Sequence, residues 1–237
     1  GCHMLLLDKK TGLAAETGIG SCIARRPSWM SGAIEGPYMV YHPVSRYYYL
    51  FVSYGSLKSD YNIRIGRSRK ITGPFYDFHG RDLADGTDND NTAGLMISCG
   101  YRWFDGIPYM APGHNSVLMN PDGRMFLVSH IGYINFTTDH EPSTLQIRQL
   151  YLTPDEWLIA AAQPYAGETL QPLSAEDLIG NYERISLMPS VPQGIQCAHP
   201  FRLMENGRME CCSILGTWQM TGSYTLTVQY GNTVETL

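Results

Sequence analysis

The sequence predicts an all-β protein built from repeated antiparallel meanders, the pattern of a propeller blade, and three observations predict it. The first is an internal repeat. Residues 37 to 54, "PYMVYHPVSRYYYLFVSY", hold two β-rich runs around the turn "HPVSR", and "YNIRIGRS" at 61 to 68 supplies a third strand after a polar gap. Residues 115 to 133, "NSVLMNPDGRMFLVSHIGY", set two similar runs around "NPDGR", and "TLQIRQLYL" at 144 to 152 repeats the third strand down to its central Ile-Arg. The second observation is composition: nine of the sixteen Tyr fall in these runs, and Tyr suits a pleated, half-buried surface. The third is the opening "HMLLLDKKTG", which reads as a strand entering a turn and so as the outer part of an earlier blade. The chain then holds two nearly full blades and a fragment of a third, each sheet burying its faces against its neighbours.

Between the two meanders, residues 69 to 113 form a long, turn-rich link that includes "DGTDNDNTAG" at 85 to 94. Links of this length in a folded domain are usually functional or disordered. Composition shifts again in "YAGETLQPLSAEDLIGNYERI", residues 165 to 185, where Ser174 is placed to cap a helical turn with Glu176 and Asp177 in its first turn. After it, "FRLMENGRMECCSI" reads as a hairpin around "ENG". The expected division is therefore a blade region over 1–165, and a linker with the start of a small β domain over 166–237. Both ends stop on strand patterns and read as cut.

Charge and length bound the partners. Charged residues make up 16% of the chain, the formal charge is -5, and the longest basic cluster is "RIGRSRK" at 64 to 70. Nucleic acid is excluded, because phosphate binding needs a concentrated basic face. A neutral, polar ligand fits better, and sugar rings stack their apolar faces on aromatics. No apolar run reaches the roughly 18 residues of a membrane span, and "GCHMLLLDKK" is too short and too quickly charged for a signal peptide. The six cysteines (Cys2, Cys22, Cys99, Cys197, Cys211, Cys212) show no CxxC or zinc spacing. Cys211 and Cys212 are adjacent on a strand pattern, so at most one can enter the core beneath it.

One acid stands out. In "MSGAIEGPYMVYHP", residues 30 to 43, Glu35 sits in a run that is otherwise apolar, aromatic or turn-forming. Such a setting favours the protonated form of a carboxyl, the form a general acid needs. Gly32 and Gly36 let backbone approach a ligand, and Pro37 is expected to hold Gly36 extended. The alternative for Glu35 is a blade-edge acid paired with Arg25 or Arg26.

The segments "AIEGPYMVYHP", "RYYYLFVSYGSL", "YNIRIGRSRKITGPFYDFHG", "APGHNSVLMNPDGRMFLVSHIGY" and "LQIRQLYLTPDEW" together resemble the glycoside hydrolase family 43 arabinanases, in the right order over about residues 5 to 165. The resemblance implies a five-bladed β-propeller binding arabinofuranosyl chains in its central depression, hydrolysis with inversion, and an appended β-barrel or sandwich domain. It matches Glu35 to the family's general acid and makes Gly36 and Ser53 candidates for substrate binding. Tyr54, next to Ser53 at the end of an aromatic strand, is a candidate sugar-stacking face, with core packing as the equal alternative. It places His114, in "APGHNSV", deep in the channel, helping to hold a largely hydrated metal ion, often calcium. Calcium itself prefers oxygen ligands. Because arabinan is a polymer outside most cells, the resemblance also implies a secreted, periplasmic or cell-surface location.

An inverting glycosidase needs a second carboxylate to activate water, roughly 6.5 to 9.5 Å from the acid. By the resemblance, the catalytic base and a second Asp would both lie upstream of Gly1. Asp8, the one Asp ahead of Glu35, sits in a turn pattern and matches neither. Two classes of function stay open on these residues. One is an arabinan hydrolase whose remaining blades lie elsewhere or on a second chain, with an exo-acting α-L-arabinofuranosidase or β-xylosidase as the substrate alternative. The other is a non-catalytic carbohydrate-binding remnant. "DGTDNDN" lacks the EF-hand spacing, and "NFT" at 135 to 137 is a formal glycosylation sequon.

Overall fold

The internal repeat folds as two antiparallel meanders in the computed structural model, which describes residues 1–27, 33–87, 92–133, 143–187 and 195–237. The "NFT" sequon and part of "DGTDNDN" lie outside those residues. The chain divides into two units: Gly1–Gly100 with Ile107–Tyr165 and Leu187–Gln196, and Tyr101–Gly106 with Ala166–Ser186 and Cys197–Leu237.

In the first unit, β1 (Cys2–Met4) pairs with β2 (Ser21–Ala24). Between them Asp8 accepts the N–H groups of Lys10 and Thr11 at 2.9 and 2.8 Å, so it is a turn acid. The first meander follows as β3 (Ala33–His42), β4 (Tyr47–Gly55), β5 (Asn62–Ser68) and β6 (Leu95–Ser98), neighbours in that order. After the two-residue β7 (Tyr101–Arg102) of the second unit comes the second meander: β8 (Tyr109–Met119), β9 (Met125–Tyr133), β10 (Ser143–Leu152) and β11 (Leu158–Ala160). The expected turns close both hairpins. The His42 carbonyl accepts from the Arg46 N–H at 2.8 Å, and the Asn120 carbonyl from the Gly123 N–H at 2.9 Å. Gly123 takes φ +87°, open to a residue without Cβ.

Strand parity builds the core. On β4, Tyr49 and Phe51 point into one apolar cluster with Ile63, Ile65, Val117 and Leu127, which joins the two meanders. Leu50, Val52 and Tyr54 point the other way, to a cluster with Ile23, Ala24, Phe75 and Leu83. A strand covered on both faces reads as a continuous apolar run, as "YYYLFVSY" does. The repeated Ile-Arg also has a physical meaning. Arg64 on β5 and Arg148 on β10 are buried, and each Nε donates to an amide oxygen two residues back on the same face: Asn62 Oδ1 at 3.0 Å and Gln146 Oε1 at 2.8 Å. A buried guanidinium is tolerated where such acceptors replace water.

The long link is ordered wherever it is described, around one buried carboxylate. Asp77 Oδ1 accepts the N–H groups of His79 and Arg81 at 2.8 and 2.9 Å, while Oδ2 accepts Arg81 Nε at 2.9 Å and the Gly94 N–H at 3.1 Å. Arg81 in turn bonds Thr92 through its hydroxyl and, at 2.8 Å, its carbonyl. Sequence periodicity carries no sign of this network, because its members come from turns.

The second unit contains a six-stranded antiparallel sheet. Its strands are β12 (Gly180–Arg184), β14 (His199–Met204), β15 (Arg208–Cys211), β16 (Ile214–Gly222), β17 (Thr225–Tyr230) and β18 (Thr233–Thr236), neighbours in that order; β13 (Gln196–Cys197) marks the passage of the chain between units. The predicted helical turn is a single 3-10 turn, Glu176–Leu178. Ser174 and Asp177 cap it reciprocally: the Ser174 N–H donates to Asp177 Oδ2 at 2.8 Å, and the Asp177 N–H to Ser174 Oγ at 3.4 Å. The "ENG" hairpin turns at Asn206, with φ +59°. Cys211 enters the core with Phe201, Met209 and Trp218, while Cys212 lies beyond β15 in the turn to β16, with φ +51°, and is exposed; the turn, not strand parity, keeps it out of the core.

Two outcomes follow for stability. Asp77→Ala strands three N–H donors and the Arg81 guanidinium, and should cost about 3 kcal/mol in urea denaturation. The second concerns His42, whose Nδ1 accepts the Ser45 N–H at 3.2 Å and whose imidazole burial pushes below its ordinary range. Above the unfolded value, about 6.5, both states are neutral. As pH falls below it the unfolded chain takes the proton first, so stability falls until the folded value is passed. Between pH 7.5 and 5 the thermal midpoint of wild type should therefore drop more than that of His42→Asn.

Candidate active site

Glu35 owes its position to an irregularity in β3. Its Cα partner on β4 is Ser53, but Tyr38 pairs with Phe51, so one extra residue is inserted at Gly36–Pro37. Proline inside a strand belongs at an edge or a bulge, and β3 is the edge of its meander and bulged there. Gly36 has φ +56°, which corrects the expectation that Pro37 would hold it extended. The restriction that proline places on its predecessor acts partly through Cβ, which glycine lacks. The missing Cβ has a second use: built at Gly36, it would lie 3.1 Å from the His114 Cα.

β8 meets this edge with irregularities of its own. Its register against β9 shifts twice, between Met110 and Gly113 and between Gly113 and Ser116, and both Ala111 and His114 take positive φ, +52° and +49°. The backbone strain holds the exposed His114 against Gly36. The His114 N–H donates to Ser53 Oγ at 2.8 Å.

Tyr61, the residue before β5, completes the arrangement. It is 1% exposed, donates its hydroxyl to Glu35 Oε1 at 2.9 Å, and stacks on His130 of β9 with ring centroids 5.8 Å apart and planes at 16°. A Cβ at Gly113 would fall 2.0 Å from the Tyr61 ring, so glycine is required there for close approach. Burial first, and then the bond to Glu35, push the Tyr61 phenol far above its ordinary range and keep it a neutral donor. Burial and then the neighbouring His114 hold the His130 imidazole below its ordinary range, against the pull of Glu35.

The predicted residues separate into two groups. Glu35, Gly36, Ser53 and His114 come together, though Ser53 is fully buried and serves the His114 backbone. Tyr54 does not join them. It is 1% exposed in the second apolar cluster, with the Arg64 and Arg26 guanidinium carbons 5.2 and 5.7 Å from its ring centroid, so in this chain it offers no face to a sugar. Parity explains the correction, since Ser53 and Tyr54 must point to opposite faces of β4. Glu35 takes its hydrogen bond from Tyr61, not from the arginines of the alternative reading, and Arg25 Nε donates to the Ala84 carbonyl. Sequence reasoning misses Tyr61 and His130; the one signal it holds is a lone His in the apolar run "FLVSHIGY".

Among the described residues no three His, Cys, Asp or Glu side chains gather to hold a metal. His114 can offer one nitrogen, whereas calcium takes six to eight oxygens. The side chains of the described residues do not fit calcium on their own.

Set beside known proteins, residues 162–236 match the family model for the C-terminal lipocalin-like domain of family 43 enzymes. An extracellular endo-α-(1→5)-L-arabinanase of Bacillus subtilis is 34% identical over 208 residues, 81% of this chain and 44% of that protein. One from Thermotoga petrophila is 31% identical over 248 residues, 98% of this chain and 51% of that protein. The chain spans about half the length of the curated relatives it matches. The crystal structure of the endo-1,5-α-L-arabinanase from Thermotoga petrophila in complex with TRIS superposes with a TM-score of 0.86 at 30% identity, over 99% of this chain and 54% of that one. A family 43 glycoside hydrolase from Bacillus licheniformis superposes with 0.87 at 29% identity, over 98% and 54%. An all-β chain with these relatives along nearly its whole length, and with the family's C-terminal domain at its end, belongs to glycoside hydrolase family 43.

Proposed function

We propose that this chain is part of an inverting hydrolase acting on α-1,5-linked arabinan outside the cell, with Glu35 as the general acid. The observation that carries the reading is the setting of Glu35: a half-buried carboxylate on a bulged edge strand, with one oxygen tied by a buried phenol and a strained His114 beside it. Strain and a bulge at one acid mark a functional position more often than a structural one. The substrate class rests on the relatives, whose names are those of extracellular arabinanases.

A general acid works only with a partner that activates water from the opposite face of the sugar. In this reading the water-activating carboxylate, and the further blades that would close a five-bladed propeller around the substrate, come from polypeptide outside residues 1–237. The two meanders are then adjacent blades, and the end of the face between them where Glu35, Tyr61 and His114 meet is the wall of the central depression. Calcium, if bound there, would be held mainly by water with His114 as its contact in this chain.

The assay is hydrolysis of linear arabinan by the polypeptide that carries this chain together with its remaining blades. Wild type should release arabino-oligosaccharides with inverted anomeric configuration, observed by proton NMR. Glu35→Gln should lower kcat by about 10²–10⁴-fold, the usual contribution of general acid catalysis. Equal activity in wild type and Glu35→Gln would remove Glu35 as the general acid, and no activity in either would leave carbohydrate binding without catalysis as the function.

A further inference from the structure

We propose that Tyr61 is the positioning residue of Glu35: by donating to Oε1 it makes that oxygen the carbonyl-type acceptor and confines the exchangeable proton to Oε2. The inference rests on the reading of Glu35 as an acid, and names the group that orients it.

The geometry is specific. The Tyr61 hydroxyl donates to Oε1 at 2.9 Å, and among the described residues no other donor reaches the Glu35 carboxyl. A carboxylic acid has one O–H and one carbonyl oxygen. A neutral phenol that donates to Oε1 favours the proton on the other oxygen, because the carbonyl oxygen of a protonated carboxyl is a stronger acceptor than its hydroxyl oxygen. Protonated Glu35 therefore holds its hydrogen on Oε2, the oxygen left to meet a leaving group.

The phenol can impose this only if it cannot move, and the surroundings see to that. The Gly113 backbone closes one side of the ring, so that even a methyl group would collide at 2.0 Å. His130 stacks against the ring at 5.8 Å. Ser53, the β4 partner of Glu35, accepts the His114 N–H on its Oγ at 2.8 Å and so ties the strained turn to the strand beside the acid. An acid held in a single orientation starts the reaction with that part of its entropy already lost.

A carbonyl oxygen that accepts a hydrogen bond stretches at lower frequency than a free one, so loss of the donor should show in the C=O band of the protonated Glu35 carboxyl. We would label with ¹³Cδ-glutamate the polypeptide that carries this chain together with its remaining blades, assign Glu35 by its absence in Glu35→Gln, and compare infrared difference spectra of wild type and Tyr61→Phe in acid. Tyr61→Phe should move the Glu35 C=O band to higher frequency, with the circular dichroism spectrum unchanged. A band at the wild-type position would overturn the proposal. Should Tyr61→Phe fail to fold, replacing tyrosine biosynthetically by 3-fluorotyrosine, a more acidic phenol, keeps the shape and strengthens the donor. The Glu35 band should then move to lower frequency, and an unmoved band again overturns the proposal. Because the readout is the vibration of one carboxyl and not turnover, loss of the arabinanase reading and loss of this one are distinguishable.

Discussion

The central strand β4 must satisfy two apolar surfaces at once, and the rest of the first unit is arranged around that constraint. Alternate side chains of β4 enter different cores: Tyr49 and Phe51 the one shared with the second meander, Leu50, Val52 and Tyr54 the one closed by β2 and by Phe75 and Leu83 of the long link. Parity then decides what each neighbouring residue can do. Ser53 lies on the face shared with β8 and reaches the His114 backbone, while Tyr54, one residue later, is committed to the opposite core.

A sheet buried on both sides leaves little room for polar groups, and those present bring their own partners. Arg64 and Arg148 lie at equivalent places in the two meanders, each against an amide two residues back. Asp77 gathers four donors from a link with no regular strand of its own at that point. Asn115 is different: it is 4% exposed, and among the described residues neither of its amide atoms has a hydrogen-bond partner, as is also true of the buried Gln149 Oε1. Buried amides without partners are uncommon. Asn115 follows His114 directly, where β8 leaves its register with β9, so the cost falls on the same few residues that carry the site.

The site lies where this packing stops being regular. Bulges in β3 and β8 face each other; glycine at 36 removes the Cβ that would hold them apart, and glycine at 113 makes room for the Tyr61 ring. Chemistry concentrates there because a regular ladder projects side chains perpendicular to the sheet, whereas a bulge re-aims them. Glu35 is turned toward a phenol from the start of β5 and a histidine turn from β8, groups far apart in the chain.

The sequence by itself determined the two meanders, their turns at "HPVSR", "NPDGR" and "ENG", and Glu35 as an acid out of place in an apolar run. These are local properties: period-two patterning, turn chemistry and one residue at odds with its neighbours, all readable within about ten positions. Tertiary structure alone decided that Gly36 would leave extended geometry, that Tyr54 would serve the core, and that Tyr61 and His130 would join Glu35. Each depends on which face of one strand meets which bulge of another. A shift of one residue in register would exchange the two faces, and register between strands some fifty residues apart is set by packing the whole core, which no local pattern encodes.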